Sequence, residues 1–334
     1  DTLNAALARE GNYFPALADL ARLNYETGQY DLALIAVEKA FSLEPNNREL
    51  ALLQLRILRQ TGQLALAQSR SQALLEIHPR DREVLLELLL VYHQQERWTL
   101  VDKILDQLEN QGPLEPGHRL VRIDRLAVTG SVNQAGEQLA SLLAEYPEFV
   151  PGFIYRARLA IAVDRQEDAL RDLQVALDLD DRIVEAHFWK ALAHFQLGEV
   201  AQGEAALKAA SAIDSDYPAL KLLGVSRALA RRDTALALAE LDQYLARYPF
   251  SIDALLLQAE YFTLTGAYDR AEAVLSNIAP EVRNAKVAYA KARLAFFRGQ
   301  YLETIQRTAT AASHAAPAWR MSYLRAAAMA RVGN

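Results

Sequence analysis

His187 and His194 stand seven residues apart, two turns along one helical face, and are the side chains here whose type best suits metal chemistry. A zinc site built on them needs a third ligand, such as Glu185 or Asp216, and a hydrogen-bonded outer shell. Two histidines alone are insufficient, so packing is the reading their spacing favours. Asp178, Asp180 and Asp181, followed by Asp214 and Asp216, carry the oxygen chemistry of a calcium site. Neither run has the glycine-centred loop that a calcium hand requires, and both read as solvated turns. No phosphate loop, dinucleotide fingerprint, nucleophile elbow or zinc-protease helix occurs along the chain. With no cysteine, thiolate metal sites, a catalytic cysteine and disulfides are excluded. The chain is therefore read as a non-enzyme, with no catalytic residue, metal or cofactor expected.

Composition narrows the partners. The 334 residues are 51% hydrophobic and 23% charged, with a formal charge of −6. An acidic balance argues against a surface spread with phosphate contacts, so no nucleic-acid partner is expected. The longest nearly apolar run, Val84 to Tyr92, carries Glu87 and is too short to cross a bilayer.

The elements that must position any site are set by a 34-residue period. Gly28, Gly62, Gly130, Gly198 and Gly266 recur at that interval or twice it, and Pro45, Pro79, Pro113, Pro147 and Pro249 keep the same period. Such a period means stacked supersecondary units. With Gly28 as position 15, the units are 14–47, 48–81, 82–115, 116–149, 150–183, 184–217, 218–251, 252–284 and 285–318. Each reads as helix, tight turn, helix, turn. In the first, Leu17, Leu20, Ala21 and Asn24 recur at helical spacing, and Gly28 supplies the left-handed residue that ends the helix. Asp31 is expected to cap the second helix, whose Ala33, Val37 and Ala40 form a narrow face; Pro45 stops it.

Position 15 is Glu96, Asp164 and Arg232 in three units, and those junctions are expected to bend differently. Residues 1–13 match the end of a preceding second helix, and 319–334 match the first helix of a further, truncated repeat. Ala326 to Met329 close that helix with no partner after it, so the chain is expected to be a piece of a longer protein.

The pattern resembles the tetratricopeptide repeat family: a small residue at position 8, glycine near 15, an aromatic at 17, alanine at 20, a bulky apolar residue at 24 and proline at 32. The resemblance covers residues 14–318. It implies an all-α fold, an α-solenoid winding as a right-handed superhelix. It also implies that positions 2, 5, 9, 12 and 13 of each first helix face a concave groove. Arg22, Arg56, Arg158 and Arg293 then fall on position 9; Phe188, Tyr289 and Tyr323 on position 5; Arg59, Phe195 and Phe296 on position 12; and Phe297 on position 13. Arginine forks suit carboxylates, and aromatic faces suit apolar side chains or sugar rings. A protein or peptide partner is expected in that groove. Members that clamp acidic chaperone tails use lysine at position 5 and asparagine at 6 and 9; no unit here carries that set.

The function so implied is a non-enzymatic interaction scaffold. The alanine-, leucine- and arginine-rich character, with 29 Arg against 7 Lys, looks bacterial. By the same resemblance, the scaffold would organise an envelope machine such as exopolysaccharide export, in the periplasm rather than the cytoplasm. The alternatives are the recognition arm of a repeat-fused transferase, which an absent asparagine ladder disfavours, and a cytoplasmic regulator or co-chaperone.

Overall fold

The structure is a computed structural model, and it describes residues 12–249, 251–278, 285–311 and 318–333. Nineteen α-helices and no strand occur among the described residues. The expected second helix within residues 1–13 lies, up to residue 11, outside them. The described helices fall into two compact groups, residues 12–113 with 245–249 and 251, and residues 114–244 with 252 onward.

The first group holds α1 (Phe14–Glu26), α2 (Tyr30–Leu43), α3 (Arg48–Gln60), α4 (Leu64–Ile77), α5 (Arg82–Gln94) and α6 (Trp98–Glu109). The second opens with α7 (Pro116–Val128), α8 (Val132–Glu145), α9 (Val150–Ala162), α10 (Gln166–Leu179), α11 (Val184–Gln196) and α12 (Val200–Ile213). After these come α13 (Pro218–Ala230), α14 (Thr234–Arg247), α15 (Ile252–Leu264), α16 (Tyr268–Asn277), α17 (Ala285–Phe297), α18 (Tyr301–Ala311) and α19 (Ala318–Arg331). The fold class is an α-solenoid of helix pairs.

Helices within a pair touch through small residues. Ala33, Ala67, Ala135, Ala169, Ala237 and Ala271 have no exposed surface, and each shares a buried cluster with an almost fully buried residue of a first helix, such as Ala21, Ala157 or Val225. A methyl-sized contact lets two helix axes approach closely, and a larger side chain there would overpack. At the equivalent point of α12, Gly203 replaces alanine because the Phe195 ring of α11 occupies the space, 2.5 Å from where a Cβ would stand. Polar residues at buried places are neutralised locally. The Ser71 hydroxyl donates to the Ala67 carbonyl at 2.8 Å, and the Thr308 hydroxyl to the Thr304 carbonyl at 2.8 Å.

Every first helix ends the same way. Gly28, Gly62, Gly130, Gly198, Gly266, Gly299 and Gly333 adopt φ between 74° and 89°, and Glu96, Asp164 and Arg232 adopt 54°, 59° and 60°. The three non-glycine junctions therefore keep the turn they were expected to alter. The closing bond is also kept: Gln29 N–H donates to Asn24 carbonyl at 2.7 Å, as do Arg97 to Tyr92, Arg165 to Ala160 and Asp233 to Ala228, each at 2.9 Å. Six-to-one closure satisfies a carbonyl that the helix end would leave bare.

The second helix of the first pair starts two residues earlier than an N-cap at Asp31 would require. Gln29 stands at the N-cap without a side-chain bond, and Asp31 lies in the first turn rather than capping it. There its charge still complements the positive helix end.

A side chain in the left-handed region costs roughly 1–2 kcal/mol. Arg232→Gly is therefore expected to raise stability by about 0.5–1 kcal/mol, glycine's own entropy offsetting part of the relief. Urea unfolding midpoints check this, and an unchanged or lowered midpoint would show the strain is absorbed elsewhere.

Candidate functional site

First helices stack side by side, and their exposed edge is where recognition residues can line up. In the first group this edge is largely tied to itself. Arg22 on α1 donates to Glu49 on α3 at 2.8 Å and lies 3.8 Å from Asp19. Arg48 forks onto Asp81 with two bonds of 2.9 Å, while Asp81 also caps α5 by accepting from Val84 N–H at 3.3 Å. Glu87 on α5 is buried, and it accepts from Arg56 at 2.9 Å and from Arg59 at 3.2 Å, both on α3. The charged interruption of the apolar run is thus the anchor of two arginines one turn apart.

The second group has the same stitching with different partners. Arg293 on α17 donates to Glu260 on α15 at 2.5 Å and lies over the Phe297 ring at 5.7 Å. Lys286 reaches Asp253 at 2.7 Å. Tyr155 on α9 is buried and donates its hydroxyl to Asp124 on α7 at 2.7 Å; burial and that carboxylate push its pKa well above the usual phenol range.

Arg158 differs. It is exposed, and its guanidinium lies 5.6 Å from the Tyr155 ring centre and 5.2 Å from that of Trp189 on α11. Trp189 donates its indole N–H to Glu185 at 3.2 Å and packs edge-on to Phe188 at 5.6 Å, whose ring in turn meets Tyr217 at 6.1 Å. No carboxylate pairs with Arg158 among the described residues, in contrast to Arg22, Arg56 and Arg293 at the equivalent place.

Of the other nominated residues, Phe188 is buried, and Phe195 is half-buried over Gly203 with Arg227 above its ring at 5.2 Å. Both fill the core of their pairs. Tyr289 is half-buried. Phe296 packs edge-on to Phe297 at 5.9 Å and to Tyr301 at 5.5 Å. Phe297 stays 43% exposed beneath Arg293, and Tyr323 74% exposed, so both keep aromatic surface open to solvent.

The histidines serve turns. His187 Nε2 bonds the Asp181 carbonyl at 2.9 Å, and His194 Nδ1 bonds Glu199 at 2.6 Å, so each ring is held by the loop beside its own helix. Asp180 and Asp214 accept from the backbone N–H two residues on, at 2.9 and 2.8 Å, closing matching turns after α10 and α12. No group of acids and histidines able to hold a metal occurs among the described residues.

Sequence reasoning passed over Tyr155 and Trp189 and read Glu87 only as an interruption of an apolar run. The signal was present: Tyr155 and Trp189 hold the same place in successive units, with Arg158 one turn after the first.

Two sets of substitutions test these ties. The Arg48 fork and the backbone bond from Val84 hold the Asp81 carboxyl below its usual range. A depressed carboxyl stabilises the fold above its unfolded pKa of about 3.9 and loses that contribution as pH falls through the folded value. Asn can still cap the helix, so Asp81→Asn isolates the Arg48 pair. The variant should be less stable than the parent at pH 7, with the gap closing below about pH 4; a gap independent of pH in urea titrations counts against it. Replacing Arg56 and Arg59 together by alanine leaves the buried Glu87 carboxylate without a counter-charge. That is expected to cost about 3–5 kcal/mol, and either single change less. Equilibrium unfolding of the three variants decides it.

Comparison with known proteins agrees with this geometry. Residues 156–218 and 222–286 match the family model described as tetratricopeptide repeat. No curated protein matches the chain. Among solved structures, the crystal structure of the APC/C hetero-tetramer Cut9–Hcn1 contains a similar chain: 12% identical, TM-score 0.61, with 96% of this chain and 70% of that one covered. Yeast Tom70 is 12% identical with a TM-score of 0.42, covering 99% of this chain and 84% of that one. Helix pairs of constant period, closed by the same left-handed turn, thus match the tetratricopeptide repeat model over residues 156–218 and 222–286, within a fold of the same kind on either side.

Proposed function

We propose that the chain is a non-enzymatic protein-interaction scaffold that receives a protein or peptide partner along a concave groove lined by its first helices. The observation that carries this reading is the constant helix phase. From Phe14 to Ala318, each first helix begins 34 or 33 residues after the last. Equivalent side chains are thereby set in rows, which is the geometry a long partner segment can follow. The candidate contacts are Arg22, Arg56 and Arg59 in the first group, and in the second group Arg158, Arg293, Phe297 and Tyr323, with Phe188, Phe195, Tyr289 and Phe296 supporting the latter from beneath. Arg56 and Arg59 act there with Glu87 as a fixed, charge-balanced feature.

The reading extends to a role in a bacterial envelope machine, such as exopolysaccharide export, with the chain in the periplasm. Its support is compositional, 29 Arg against 7 Lys in an alanine- and leucine-rich solenoid.

Photo-crosslinking tests the groove. A benzophenone side chain placed at Ser226 or Tyr323, on first helices, should capture a discrete protein in the native cell. The same group at Val175 or Leu236, exposed on second helices, should not. Equal capture from both faces would overturn the groove assignment. Release of the full-length protein by osmotic shock checks the compartment.

A further inference from the structure

We infer that Arg158, with Tyr155 and Trp189, forms a carboxylate-binding subsite for an acidic peptide segment. The inference rests on the scaffold reading and gives it a particular chemistry at a particular place. Three observations carry it. First, Arg158 is an exposed arginine on the first-helix edge whose fork no carboxylate occupies among the described residues, while Arg22, Arg56 and Arg293 at the same repeat position each hold one. Second, its position is supported from two adjacent repeats, because the guanidinium lies 5.6 Å from the Tyr155 ring and 5.2 Å from the Trp189 ring. Third, the acids that touch this platform are already engaged: Asp124 accepts from the Tyr155 hydroxyl at 2.7 Å, and Glu185 accepts from the Trp189 indole at 3.2 Å.

These bonds have a joint effect. They fix both rings, and the rings hold the guanidinium by cation–π attraction without using its N–H donors. A planar fork ordered in this way and still open to solvent is suited to bidentate recognition of a carboxylate. Part of the side-chain ordering that binding usually requires is present before the partner arrives. Trp189 is half-buried, which leaves part of its ring beside the fork for an aliphatic side chain next to the acid. The expected ligand is therefore an acidic residue flanked by leucine or a similar residue, or a chain terminus of that composition.

The probe is a fluorescent twelve-residue peptide alternating glutamate and leucine, capped at both ends, with its glutamine counterpart as the uncharged control. A third peptide with glutamines inside and a free C-terminal carboxylate separates terminal from side-chain recognition. Binding to the full chain is followed by anisotropy. The glutamate peptide, the free-terminus peptide, or both, should bind more tightly than the capped glutamine peptide. Arg158→Ala should weaken that binding roughly tenfold, the scale of one charge-assisted pair. Arg158→Lys, which keeps the charge but lacks the planar fork, should also weaken it. Arg171→Ala removes the same charge from the second helix of the same pair, where Arg171 bonds Asp168, and should leave affinity unchanged.

Equal loss in the Arg158 and Arg171 variants would show bulk charge and overturn the subsite. So would absence of binding by either carboxylate peptide, or an Arg158→Ala variant that melts lower while binding unchanged. Cross-linking from Ser226 that persists in Arg158→Ala would sink the subsite and leave the scaffold standing. Loss of first-helix selectivity in the parent would sink the scaffold instead.

Discussion

The left-handed residue that closes each first helix is the constraint on which the rest depends. It sets the angle at which the second helix returns, and so which small residues meet. With Ala33 against Ala21, or Ala169 against Ala157, the contact has room for a methyl group and little more. A turn that opened differently would carry those faces apart. The structure keeps it at φ 54–60° even where Glu96, Asp164 and Arg232 make it unfavourable. Backbone strain held by surrounding packing is the physical meaning of that persistence. The neighbouring pairs bury enough apolar surface to over-determine a local conformation that these three residues would not choose alone.

Once the pairs are in phase, the first-helix edges within each group lie in a row, and charge must be settled along it. The row solves this by pairing across repeats. Arg56 and Arg59 converge on Glu87, Arg48 on Asp81, Arg22 on Glu49 and Arg293 on Glu260. Most of these are partly exposed and contribute little individually. Glu87 is different because it is buried, so its arginines are needed to avoid an unpaired charge. The functional consequence is selectivity by subtraction. Arginines that look alike in sequence differ in what they can offer, and Arg158 is the one held by rings instead of acids.

Much of the architecture was legible before any coordinates. The glycine and proline period gave the helix pairs, and the alanines at fixed places gave their contact face. The three junctions without glycine were misjudged, because residue type reports a local preference while neighbouring packing decides the turn. Asp31 was misjudged for a similar reason: the helix begins at Tyr30, so the acid lies inside its first turn. Phe188 and Phe195 were nominated as groove residues from their position alone, yet one is buried and the other fills the space above Gly203.

The sequence by itself determined the repeat, its phase and the all-α solenoid, because each depends on contacts between residues of known spacing within a pair or its neighbour. The same short-range logic made the missing nucleophile, phosphate-loop and cysteine motifs readable. Only the tertiary structure decided which charges on the shared edge are spent on each other. That outcome turns on distances between side chains some thirty residues apart, such as Arg56 to Glu87 at 2.9 Å and Tyr155 to Asp124 at 2.7 Å. A period places two residues in adjacent rows, but rotamer and burial settle whether they touch. For that reason the arginines were visible in the sequence, and the difference between Arg158 and the others was not.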